Sequence, residues 1–138
     1  MTQWTGGCAC GAIRYACEGE PTLMFNCHCR DCQRASGTGG VPVMGVSKAE
    51  FTVTGEPARF ISTGGSGQPA IRHFCPACGT GLFYTNDLIF PGQTDVQSAT
   101  LDRPEALPPT AQIQVAERIA WMKDADDLPA FQRYPGME

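Results

Sequence analysis

The chain has 138 residues, a formal net charge of −4, 42% apolar residues and 17% charged residues. These totals suit one soluble domain over residues 1–138, which would bury roughly two-thirds of its unfolded surface. No apolar run reaches the roughly 18 residues of a membrane span. The N-terminal MTQWTGGC has no signal-peptide pattern, so a cytoplasmic protein is expected, and ten Lys and Arg without a basic stripe argue against a nucleic-acid partner.

Sixteen glycines and eleven prolines cut the chain into short segments rich in β-branched and aromatic residues. This pattern predicts an all-β fold with many turns. In AIRYAC, Ile13, Tyr15 and Cys17 alternate onto one face of a strand, which makes Cys17 a core thiol. RDCQRAS is the one short helix, ended by Gly37. Further strands are expected at 41–46, in FTVT with Phe51 and Val53 on one face, and at 58–62, 70–75, 81–85, 94–99 and 112–116. Gly64, Gly65 and Gly67 mark a hairpin or loop tip, because no Lys and helix follow to make it a phosphate cradle. RPEALPP at 103–109 is a connection, with no change of composition after it.

The eight cysteines carry the chemistry. A reducing compartment disfavours disulfides, and CxC and CxxC spacings are too tight for easy local bridges, so metal ligation is the leading reading. Seven of them form three groups: Cys8 and Cys10; Cys27, Cys29 and Cys32; Cys75 and Cys78. Four-coordinate zinc collects ligands from local turns in distant parts of a chain. Both pairs are followed by glycine, Gly11 and Gly79, which lets backbone amides turn back towards the sulfurs. Cys8, Cys10, Cys75 and Cys78 are therefore expected to form one closed, structural zinc site.

The trio would leave a zinc ion one exchangeable position, the pattern of a catalytic site. His28 lies between Cys27 and Cys29, but an extended CxC segment turns it to the opposite face. It could carry a proton or serve only as support. Asp31 could orient a ligand, handle a proton or simply cap the helix, and Cys32 stands to gain from the helix N-terminus. His73 could lie near the structural metal or be an ordinary strand histidine. Three thiolates outweigh a divalent ion by about one charge, which makes it a poor activator of water and a good holder of a further sulfur. The expected chemistry joins thiols to carbonyl carbon.

GGCACGAIRY (Gly6 to Tyr15), CHCRDCQRASG (Cys27 to Gly37) and FCPACGT (Phe74 to Thr80), with DDLPAFQRY (Asp126 to Tyr134) near the end, resemble the glutathione-dependent formaldehyde-activating enzymes and their centromere-protein-V-like relatives. The resemblance covers nearly the whole chain. It implies a β-tent-like domain of small antiparallel sheets organised around two zinc ions, with a structural ion on Cys8, Cys10, Cys75 and Cys78 and a catalytic one on Cys27, Cys29 and Cys32. It also implies a carbon–sulfur lyase that reversibly adds glutathione or a similar thiol to a small aldehyde such as formaldehyde, as S-hydroxymethylglutathione synthases do. The competing reading is a non-enzymatic binding module with both metals structural, which Trp4 and Trp121 could serve as contacts or fill as packing. No heptad or apolar patch decides between monomer and dimer.

Overall fold

The computed structural model describes residues 2–63, 69–87 and 89–137. In chain order the strands are β1 (Gln3–Gly7), β2 (Arg14–Glu18), β3 (Leu23–Cys27), β4 (Val41–Ser47), β5 (Phe51–Thr54), β6 (Ala58–Thr63), β7 (Pro69–Phe74), β8 (Gly81–Thr85), β9 (Gln93–Gln97) and β10 (Ala111–Ile113). The α-helix α1 (Arg30–Ser36) follows β3. The glycine-rich tip at 64–68 lies outside the described residues, so its expected loop conformation is untested. No helix among the described residues is long and apolar enough to cross a membrane.

The fold is mostly β, as its turn-rich composition predicts. One sheet has three strands in the order β1-β2-β5, and the other has seven, β10-β3-β4-β9-β8-β7-β6. All pairings are antiparallel except β10 with β3. The expected antiparallel pattern thus holds throughout except for one parallel pairing at a sheet edge. The chain returns to that edge through the 103–109 connection, and Thr110 N–H donates to the Met24 carbonyl at 3.0 Å as β10 begins.

The main core lies where the two sheets meet. Ile13, Tyr15 and Cys17 from the first sheet region pack with Met44, Leu82, Phe83 and Val96 of the second. The alternation in AIRYAC thus buries the face it predicts, and Cys17 is fully enclosed, with its thiol pushed up to about 12 by burial. The opposite face of the seven-stranded sheet carries a second cluster: Phe25, Cys27, Cys32, Val41, Val43 and Tyr84. Because Val43 faces one cluster and Met44 the other, β4 is buried on both sides and lacks the polar alternation of a half-exposed strand.

Candidate functional site

The two cysteine pairs sit on loops of the same design. Cys8 N–H donates to the Ile13 carbonyl at 3.0 Å, and Gly11 N–H to the Cys8 carbonyl at 3.2 Å. In the second loop Cys75 N–H donates to the Thr80 carbonyl at 3.0 Å, and Gly79 N–H to the Cys75 carbonyl at 2.8 Å. Gly11 and Gly79 have φ of 81° and 78°, a conformation that an L side chain rarely adopts. Each loop so folds its sulfurs towards a common point.

The four sulfurs lie within 4.8 Å of one another. Cys8 and Cys10 sulfurs are 3.6 Å apart, and those of Cys10 and Cys75 3.7 Å. Tetrahedral zinc with bonds of about 2.3 Å requires sulfur separations of about 3.8 Å, so this donor set fits such an ion. Ile13 N–H points at the Cys8 sulfur at 3.3 Å, as the glycine turn requires. Thr80 is a member that the cysteine spacing does not reveal. Its hydroxyl accepts from Ala9 N–H at 3.1 Å and lies 3.2 Å from the Cys78 sulfur, joining the two loops. With the Thr80 hydroxyl, its amide and that of Cys10 around it, the Cys78 thiol is held down to about 5. His73 takes no part in this group. It stacks on Phe83 with ring centres 4.3 Å apart, the ordinary strand histidine of the two sequence alternatives.

The sulfurs of Cys27, Cys29 and Cys32 form the other close group, again within 4.8 Å. Cys27 ends β3, Cys29 is the residue before α1, and Cys32 lies in its first turn. Cys29 sulfur accepts from Cys32 N–H at 3.3 Å, so the free helix amide serves Cys29, whereas the sequence suggests that Cys32 benefits. Gly37 closes the helix at φ 75°, donating its N–H to the Gln33 carbonyl at 2.7 Å. His28 turns away from the three sulfurs, as the extended CxC backbone dictates. Its Nδ1 lies 3.3 Å from the Gly39 carbonyl and its Nε2 2.8 Å from Gln112 Oε1. Gln33, buried beneath, donates to the His28 carbonyl at 2.7 Å and to the Glu117 carbonyl at 3.1 Å. The segment after β10 is thereby fixed beside the trio.

A cavity of about 640 Å³ opens over this trio. Its wall includes Asp31, Arg72, Tyr84 and Gln114 together with the apolar Phe90 and Ile113. Gln114 holds φ 56° and ψ 37°, a backbone placement uncommon for a side chain of its size and often found at ligand sites. Arg72 Nη2 stands 3.7 Å from the Cys32 sulfur, and its guanidinium lies 4.6 Å from the Tyr84 ring centre. Cys27 and Cys29 hydrogen-bond to the Cys32 sulfur, and Arg72 adds to their effect, holding that thiol down to about 3. Arg72 and Tyr84 are absent from any motif of the sequence. Strand register brings them here, since they are directly opposed on β7 and β8. Tyr84 is in turn opposed to Asp95 on β9, a fully buried carboxyl whose Oδ1 accepts from Gln93 Nε2 at 2.7 Å.

Fold and sulfur clusters together define a small, mostly β protein with two donor sets able to hold metal ions. The model of the glutathione-dependent formaldehyde-activating enzymes matches residues 3–117, and the chain belongs to this family. A curated relative from Halomonas elongata, which bears the family designation in its name, is 27% identical over 142 residues, covering 94% of this chain and 87% of the relative. A crystal structure of a Rhodobacter sphaeroides protein is similar in fold, with a TM-score of 0.57 at 21% identity over 78% of this chain and 98% of the other. Family membership implies an enzyme that acts on formaldehyde with glutathione.

Proposed function

We propose that this chain is a zinc-dependent carbon–sulfur lyase-type enzyme that reversibly joins a thiol, glutathione or a close analogue, to formaldehyde or a similarly small aldehyde. It works as one domain over residues 1–138 in the cytoplasm, with a structural zinc on Cys8, Cys10, Cys75 and Cys78 and a catalytic zinc on Cys27, Cys29 and Cys32. The observation that carries the reading is the cavity over three sulfurs, set against a four-sulfur group on the other loops.

A zinc ion held by the trio supplies a soft position that keeps a thiol deprotonated at neutral pH. The chain does the rest. The cavity volume falls in the range that small ligands use, and Phe90 and Ile113 exclude water from part of its wall. In the forward direction the thiolate sulfur forms a bond to the carbonyl carbon while the C=O π pair moves to oxygen. That oxygen takes one proton, giving an S-hydroxymethyl thioether. The reverse step returns the proton and breaks the C–S bond. Tyr84 and Asp31 stand on the cavity wall, where such a proton has to pass.

The test is formaldehyde consumption with glutathione by zinc-loaded protein, followed by NMR of the S-hydroxymethyl product. The reading expects product formation above the spontaneous rate and its loss in Cys29→Ser with the fold retained. A rate equal to the uncatalysed reaction across several thiols and small aldehydes would leave the non-enzymatic module as the better account.

A further inference from the structure

We infer that Arg72 is a positioning residue that offsets the surplus negative charge of the Cys27, Cys29 and Cys32 group, so that the site takes an anionic fourth ligand in preference to a neutral one. This rests on the reading of the trio as a metal centre with an exchangeable position.

The charge count poses the problem. Three thiolates around a divalent ion leave about one net negative charge, and an incoming thiolate would raise it to two. Such a centre repels the ligand that the reaction needs. Arg72 is the cation in contact with it: Nη2 is 3.7 Å from the Cys32 sulfur. Its guanidinium is held from another side by the Tyr84 ring face at 4.6 Å, an arrangement fixed by the Arg72–Tyr84 register across β7 and β8. The ion pairs of the described residues, Arg14 with Asp102 and Lys48 with Asp87, do not involve it. The buried acid along the same cross-strand row, Asp95, takes its hydrogen bond from Gln93 and feels the Arg72 charge only through space. The Arg72 charge is thus aimed at sulfur and at the cavity that both it and Cys32 line. Guanidinium stays protonated at any working pH, so the compensation is permanent.

The effect is specific to charge, which separates it from simple packing. The experiment titrates cobalt-substituted wild type, Arg72→Met and Arg72→Lys with 2-mercaptoethanol, glutathione, azide and imidazole, reading the visible bands of the metal. Wild type should bind the two thiols and azide. Arg72→Met should bind 2-mercaptoethanol and azide about tenfold or more weakly, given the strength of a unit charge at such a distance. Imidazole should change by about twofold at most, and Arg72→Lys should fall between. Equal weakening of imidazole and the anions would overturn the inference. So would a loss confined to glutathione, which would make Arg72 a reader of that ligand's carboxylates.

Wild type that binds azide but neither thiol would sink the thiol-transfer reading while leaving the Arg72 inference to stand on azide and imidazole. Binding of no ligand at all would sink both. Should Arg72→Met fail to retain cobalt, Tyr84→Leu and Arg72→Lys supply the same comparison, because each displaces the guanidinium charge while keeping a cation nearby. An unchanged anion-to-imidazole ratio in both would contradict the inference.

Discussion

The two sulfur groups use the same element in opposite ways. Cys8, Cys10, Cys75 and Cys78 come from two loops, and the Cys10 and Cys75 sulfurs meet across 65 positions of sequence. Cys27, Cys29 and Cys32 come from one turn between β3 and α1. A metal on the first group closes a long loop and restrains the unfolded chain strongly, whereas a metal on the second closes almost none. Exposure follows a different logic: Cys10 and Cys78 are exposed at the four-sulfur group, while Cys27 and Cys32 are buried beneath a cavity. Ligand spacing along the chain is therefore the physical ground for the proposal that one group serves stability and the other exchange.

The sharpest way to break this comparison is to remove one sulfur from each group. Cys75→Ser should unfold the domain or lower its melting temperature drastically, since a structural zinc contributes about 10 kcal/mol of folding free energy in small domains. Cys29→Ser should keep the far-ultraviolet circular dichroism of the parent and lose one zinc and formaldehyde-consuming activity by about 100-fold or more. Equal unfolding by both would erase the distinction.

Smaller changes sharpen it. Gln33→Leu leaves the His28 and Glu117 carbonyls without their donor, and should cost about 1–3 kcal/mol in urea denaturation while loosening the segment that borders the trio. Thr80→Val removes the hydroxyl shared by Ala9 and Cys78. It should cost about 1 kcal/mol and speed zinc loss to a chelator from the four-sulfur group alone.

Asp95 offers a pH test between the two cores. Burial raises its folded pKa from 3.8 to about 6, partly opposed by Gln93 and Arg72. The folded protein keeps a proton that the unfolded chain has lost between these values, so this group lowers stability as pH rises from about 4 to 6. Above pH 6 its penalty is complete, roughly 3 kcal/mol. Asp95→Asn should therefore be more stable than the parent at pH 7.5, with the difference shrinking towards pH 4.5. A constant difference across that range would place the effect in packing.

Much of this arrangement is legible from sequence because cysteine spacing is a local property. CxC and CxxC followed by glycine are loops already shaped by Gly11 and Gly79, and the sorting into a group of four and a group of three coincides with the close approaches of the sulfurs. The alternation of Ile13, Tyr15 and Cys17 and the helix ending at Gly37 are likewise local. β1 escapes notice because two of its five residues are glycines, which weaken any strand signal. β10 ends at Ile113, short of the expected 112–116, since Gln114 turns to positive φ. Arg72, Tyr84 and Asp95 are not legible at all. They meet only because β7, β8 and β9 pair in one register, and register across separate strands leaves no mark on any short stretch.

The central claim is that the trio accepts a sulfur from outside the chain. Diffraction at the zinc edge from zinc-loaded crystals soaked in glutathione tests it directly. The account predicts two zinc sites, with the glutathione sulfur at about 2.3 Å from the ion on Cys27, Cys29 and Cys32. A fourth position filled by one of the protein's own side chains, with glutathione absent at saturating concentration, would contradict it.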